Sequence, residues 1–293
     1  MLTLPMTGKL SPRLGVVMLL VIATTFGTNH ISARIAFDHG ASVPTGVFAR
    51  SAFTAVAVFA LLRLQGVAIA LPRATLARAA LIGLALAAQS YCLYSAVAVI
   101  PVALALLAFN SFPMILSLMS WACGRGRPGA RALVAMPVAL AGLAIALDVW
   151  GKPLGAGVLW ALGAALSFAA VLLLTDLWLK DVDGRVRSML TMATTAVVVA
   201  LAGGAAGAFV APADATGWLG IALLSVFYGL AITSLFIVLP MLGSAAYAVV
   251  LNFEPISLLA LGWLILGQAV SPLQVFGAFV VMGAIAWLGL SRK

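Results

Sequence analysis

Residues 245–268 read AAYAVVLNFEPISLLALGWLILGQ, and Asn252-Phe253-Glu254-Pro255 lies at the centre of this apolar run. The run is about long enough to cross a hydrocarbon core of ~30 Å as a single helix. Glu254 is the only glutamate in the chain. An ionisable group at bilayer depth is costly, so it faces a partner or a water-filled path. Pro255 follows directly; it lacks an amide hydrogen and loosens the helix at the same depth. A carboxyl group and a helix defect together are a way to build a small-molecule site inside a membrane.

The pattern has an echo at Asn110-Ser111-Phe112-Pro113, which is also Asn-x-x-Pro inside an apolar run. The two asparagines stand 142 positions apart, and so do Gly15 and Gly157, Ala23 and Ala165, and Phe26 and Phe168. Several matches at one spacing, in two different segments, point to an internal duplication of about half the chain, 1–150 and 151–293. In transporters such repeats often meet at the substrate site.

Of the 293 residues, 65% are hydrophobic and 8% are charged. Soluble domains carry roughly 25% charged residues, so this is the composition of a polytopic integral membrane protein. Ten spans follow from the apolar segments: 14–36, 45–63, 76–98, 101–121, 130–149, 154–178, 187–210, 215–239, 243–267 and 272–290. The formal charge of +9 does not indicate nucleic-acid binding, because the basic residues sit in short loops between apolar runs. With the N-terminus in the cytoplasm, 13 of the 16 fall inside, Lys152 falls outside, and Arg34 and Arg50 lie near the outer ends of the first two helices. That asymmetry places both termini in the cytoplasm. Five helices per half then make the second repeat inverted relative to the first. The two cysteines, Cys92 and Cys123, have neither disulfide nor metal-ligand spacing.

The chain resembles the drug/metabolite transporter superfamily and, within it, the EamA-type ten-helix carriers. The resemblance rests on Glu254-Pro255, Pro113 and Gln274-x-x-Gly277 in the fourth, ninth and tenth segments. It departs from the family pattern where a Gly-Glu pair usually closes the helix; here those positions read Cys123-Gly124 and Gly267-Gln268. Overall it is most similar to YddG-type exporters of aromatic amino acids. The resemblance implies two inverted five-helix repeats around a central cavity, no cofactor, and transport of small metabolites, often outward from the cytoplasm.

The candidate substrate-binding residues are Tyr91, Tyr94, Asn110, Phe168, Tyr228, Asn252 and Glu254, with Pro113 and Pro255 as hinges. Tyr91 and Tyr94 are three apart and expected to share a face. Against these readings, membrane-helix aromatics mostly pack against neighbours or lipid, and buried asparagines often bond across helices. Arg34 and Asp38 are expected to pair near the outer mouth, with Arg50 close by. No lysine or arginine is placed at mid-depth, which favours neutral or zwitterionic ligands. The Gly203-x-x-x-Gly207 pair reads as a close-packing face.

No Gly-x-x-x-x-Gly-Lys-Ser/Thr loop occurs, and two histidines and seven acids, mostly scattered, do not form a catalytic set. The expected protein is therefore not an enzyme. It is a secondary carrier in a lipid bilayer, that of a bacterial inner membrane from its Ala-, Gly- and Leu-rich composition. It binds no metal, and it exports amino acids, the aromatic and large neutral ones, by alternating access. The alternatives are a carrier of other small metabolites or drugs and a channel-like facilitator.

Overall fold

A computed structural model describes residues 12–67, 69–124, 130–146, 155–179, 181–242 and 254–289. Among these, every regular element is an α-helix: α1 (Pro12–Asp38), α2 (Val43–Leu64), α3 (Arg73–Val99), α4 (Val102–Phe109), α5 (Phe112–Ala122), α6 (Ala130–Ala146), α7 (Ala156–Trp178), α8 (Gly184–Ala205), α9 (Ala215–Leu242), α10 (Glu254–Leu266) and α11 (Pro272–Gly289). Asn252 and the segment before it, from 243, lie outside the described residues. Among the described residues six helices are long and apolar enough to cross a membrane, counting Val102–Ala122 as one run. Large apolar side chains such as Phe53, Trp218, Trp263 and Phe276 stand exposed on the surface of the bundle, as a lipid-facing surface requires. The protein is a multi-pass integral membrane protein.

The fourth span is broken. α4 stops at Phe109, Asn110 and Ser111 form a turn, and α5 restarts with Pro113 in its first turn. Proline at 113 cannot donate a backbone hydrogen bond, so an unbroken helix through this point would lack one link of its ladder. The Asn110 side chain donates to the Leu106 carbonyl at 2.7 Å, so it stays within its own segment. α9 runs on through Pro240 to Leu242.

Other boundaries have local causes. Ser42 caps α2 and Pro44 sits in its first turn. Gly207 closes α8 at φ +58, with the Ala208 amide donating to the Gly203 carbonyl and the Gly207 amide to Gly204. That is a Schellman cap, so the Gly203–Gly207 pair is not one packing face. Only Gly203 is packed, against Phe209 and Pro44. Gln268 stands after Gly267, and its side-chain oxygen accepts from the Val102 amide at 3.3 Å, holding the start of α4.

The principal packing pairs are α1 with α9, α3 with α7, α6 with α11 and α2 with α8. Small residues let the backbones approach. A Cβ at Gly220 would fall 2.8 Å from the Ala36 nitrogen on α1, and one at Gly277 would fall 2.6 Å from the Gly142 oxygen on α6. In lipid, packing of this kind is what associates helices.

At the end expected to face outward, the α1–α2 turn is tied to the α8–α9 connection. His39 Nδ1 lies 2.7 Å from Asp214 Oδ2, and the Ser42 amide donates to the Val210 carbonyl at 3.0 Å. The Asp214 carboxyl is held below the usual range, first by the Gly217 amide and then by His39. Arg34 pairs with Asp38 at 2.8 Å and also donates to the carbonyls of Val97 and Ala98 at the end of α3. It locks α1 to α3. Arg50 is not part of that group.

Candidate functional site

A cluster of polar and aromatic residues draws on α1, α2, α3, α9 and α10. α1 supplies Asn29 and His30, with Phe26 one turn earlier. α2 supplies Arg50, α3 Gln89, Ser90 and Tyr94, α9 Tyr228, and α10 Glu254. His30 Nε2 lies 3.3 Å from Glu254 Oε1, with 7% and 21% of the two side chains exposed. The His30 and Tyr94 rings are 5.7 Å apart. The Asn29 amide reaches the Tyr94 hydroxyl at 3.3 Å, and Phe26 meets Tyr228 edge-on at 6.0 Å.

Arg50 is the feature sequence reasoning misplaced. It is not at the outer rim with Asp38. It is 5% exposed and lies seven residues into α2, about 10 Å along the axis. Its Nη2 donates to Ser90 Oγ at 2.7 Å, and Ser90 in turn donates to Gln89 Oε1 at 3.3 Å. Its guanidinium carbon lies 3.9 Å from the Tyr228 ring centroid and 5.1 Å from that of Tyr94. The expectation of no cation at mid-depth is therefore corrected. Inserting arginine at a helix centre costs about 2.5–3.5 kcal/mol on insertion scales. A desolvated cation–π contact returns about 2 kcal/mol. Two rings and a hydroxyl thus offset most of the cost, and among the described residues no carboxylate pairs with the guanidinium.

Of the candidates read from the sequence, the structure brings together Tyr94, Tyr228 and Glu254. Phe168 joins a separate aromatic group, 5.3 Å from Phe109 and 4.9 Å from Phe112. Asn110 is buried near it on the broken span. Tyr91 does not share the Tyr94 environment: Tyr94 is fully buried, whereas Tyr91 is 41% exposed and packs edge-on against Trp160. Pro113 and Pro255 lie at the starts of α5 and the described part of α10. Depth was the missed signal: seven residues past Val43 is too deep for an interfacial anchor.

Comparison with known proteins bears on this arrangement. Residues 155–290 match the EamA-like transporter family. The match spans α7 to α11 and includes Tyr228 and Glu254. The EamA-like family consists of membrane transporters of small molecules, not of enzymes. A solved crystal structure shares the fold, with a TM-score of 0.63 and 21% identity over 98% of this chain and 100% of that one. No curated protein matches. The EamA-like region thus brings two members of the cluster, and α1, α2 and α3 bring the others.

Proposed function

We propose that the chain is a secondary carrier of the bacterial inner membrane that exports amino acids, the aromatic and large neutral ones, by alternating access. The observation that carries this reading is the cluster itself. A buried cation and a half-buried carboxylate on different helices, with aromatic rings around them, lie together inside the bundle. Such a site offers one group for each end of a zwitterion and flat surfaces for a side chain.

The reading takes residues 1–150 and 151–293 as an inverted duplication with both termini cytoplasmic; the packing pattern supports the duplication, and the basic loops support the orientation. Counting α4 and α5 as one pass, a shift of five passes converts the α1–α9 pair into α7–α3. It likewise converts α3–α8 into α9–α2 and α1–α10 into α7 with the α4–α5 pass, all of which are observed contacts. Pro113 and Pro255, matched in the two halves, are the flex points on which the site opens to either side. The Arg34 and His39–Asp214 contacts close the outward end and must release during turnover.

The test is counterflow in proteoliposomes preloaded with unlabelled amino acids. Saturable, trans-stimulated uptake of labelled phenylalanine, tryptophan, methionine or threonine supports the reading. Absence of exchange for all four, with folded protein in the vesicles, removes the amino-acid assignment and returns the question to other metabolites. Flux that neither saturates nor responds to internal substrate marks a channel.

A further inference from the structure

Arg50 has more hydrogen-bonding capacity than its surroundings use. A guanidinium carries five N–H donors in a planar fork. One bond, from Nη2 to Ser90, is made, and Nε is buried with no partner. No carboxylate lies within salt-bridge distance of it among the described residues. Glu254, the carboxylate of the cluster, is engaged by His30 instead, and the Nδ1 of that histidine is likewise buried without a partner. A buried donor left unmade costs the full desolvation of the group. The cluster therefore holds unused donors on one side and a carboxylate on the other, with Tyr94 touching both Arg50 and His30.

We propose that Arg50 is the anchor for the carboxylate of the transported molecule and that Glu254 takes its ammonium group where one is present. This rests on the cluster being the substrate site, and it sets the order of recognition: the anionic end is required and the cationic end is auxiliary. Guanidinium and carboxylate match as a bidentate fork, stronger than a neutral pair. The Tyr228 ring fixes the guanidinium plane from one face, leaving its edge for the ligand. No covalent step is involved.

The experiment measures thermal unfolding of the full chain in detergent with three probes that share one ring: L-phenylalanine, 3-phenylpropionate and 2-phenylethylamine. In the wild type, phenylalanine and phenylpropionate raise the midpoint in a dose-dependent way and the amine does so weakly. In Arg50→Gln, apparent affinity for both carboxylates falls roughly 10-fold or more. In Glu254→Gln, phenylalanine falls to the level of phenylpropionate, whose own affinity is unchanged. Should Arg50→Gln not fold, Arg50→Lys and Ser90→Ala serve; each keeps a buried cation or the cation itself and should weaken the carboxylates selectively. The proposal is overturned if the wild type responds to the amine and not to the carboxylates. It is equally overturned if no carboxylate probe shifts the wild type, or if Arg50→Gln binds phenylpropionate as the wild type does. A response to phenylpropionate without one to phenylalanine leaves the Arg50 anchor standing and removes the amino-acid reading, so the two fail separately.

Discussion

On the proposed duplication, the charged cluster and the aromatic group around Phe168 occupy matching places in the chain and have opposite chemistry. By the 142-residue offset, Glu254 corresponds to Phe112 and Tyr228 to Leu86, while Phe26, Asn29 and Arg50 correspond to Phe168, Val171 and Met192. Phe112 and Phe168 meet edge-to-face, and Leu86, Val171 and Met192 belong to one apolar core with Phe168 against it. One place is furnished with charge and the other with hydrocarbon, and the helix pairing around both is of the same kind. The pairing is built on small residues such as Gly220 against Ala36 and Gly83 against Thr194. On the proposed function, the charges are retained for what they bind rather than for holding the bundle.

That contrast can be broken most sharply by making the charged side resemble its counterpart. Arg50→Met should lower counterflow by roughly 10- to 100-fold, the worth of about 1.5–3 kcal/mol of charge-assisted bonding. Its unfolding midpoint should equal or exceed that of the wild type, because an apolar replacement for a buried charge is often neutral or stabilising. Met192→Leu should leave flux nearly unchanged. A large loss in Met192→Leu and none in Arg50→Met would reverse the comparison.

The scaffold half of the comparison is tested at Gly220. Gly220→Val forces methyl groups into the Ala36 and Ser32 backbone and should destabilise the protein by about 1–3 kcal/mol, read as a lower midpoint with normal turnover per folded molecule. At the hinges, Pro255→Ala should slow transport several-fold while the midpoint stays within a few degrees. Pro113→Ala should do the same if the two defects are equivalent, and transport assays on both variants decide it. The smallest effect is at the rim. The Asp214 carboxyl is depressed in the folded state. Its contribution is therefore complete above the ordinary aspartate value of about 4 and is lost as pH falls through the depressed value. Asp214→Asn should flatten that acid limb of the unfolding profile and change nothing near neutrality.

The spans were legible because crossing a bilayer imposes a length and an apolar composition. Most predicted limits lie within a few residues of the observed helices. The proline at 113 announced a defect, but not that the break would fall at Asn110 and Ser111. The site was legible only in part. Glu254 stood out as a lone acid in an apolar run, and tyrosines at 94 and 228 as amphipathic rings. Arg50 was hidden by the usual association of arginine with membrane rims. Tyr91 misled because residues three apart differ by ~60° around a helix, and the border of the buried face of α3 runs between it and Tyr94. Which helices meet cannot be read from the hydropathy of each, so the partnership of His30 with Glu254 and of Arg50 with Tyr228 appears only in three dimensions.

Thiol labelling tests most directly whether the charged cluster, and not its apolar counterpart, holds the substrate. With Cys92 and Cys123 replaced by alanine, single variants Ser90→Cys and Leu86→Cys would be exposed in proteoliposomes to a charged methanethiosulfonate, with and without phenylalanine. The expected result is that Ser90→Cys, buried at rest, reacts during turnover and is protected by phenylalanine at concentrations raised to offset its weakened affinity, whereas Leu86→Cys reacts slowly and is not protected. Protection at Leu86→Cys with an unprotected Ser90→Cys would contradict the assignment of the site.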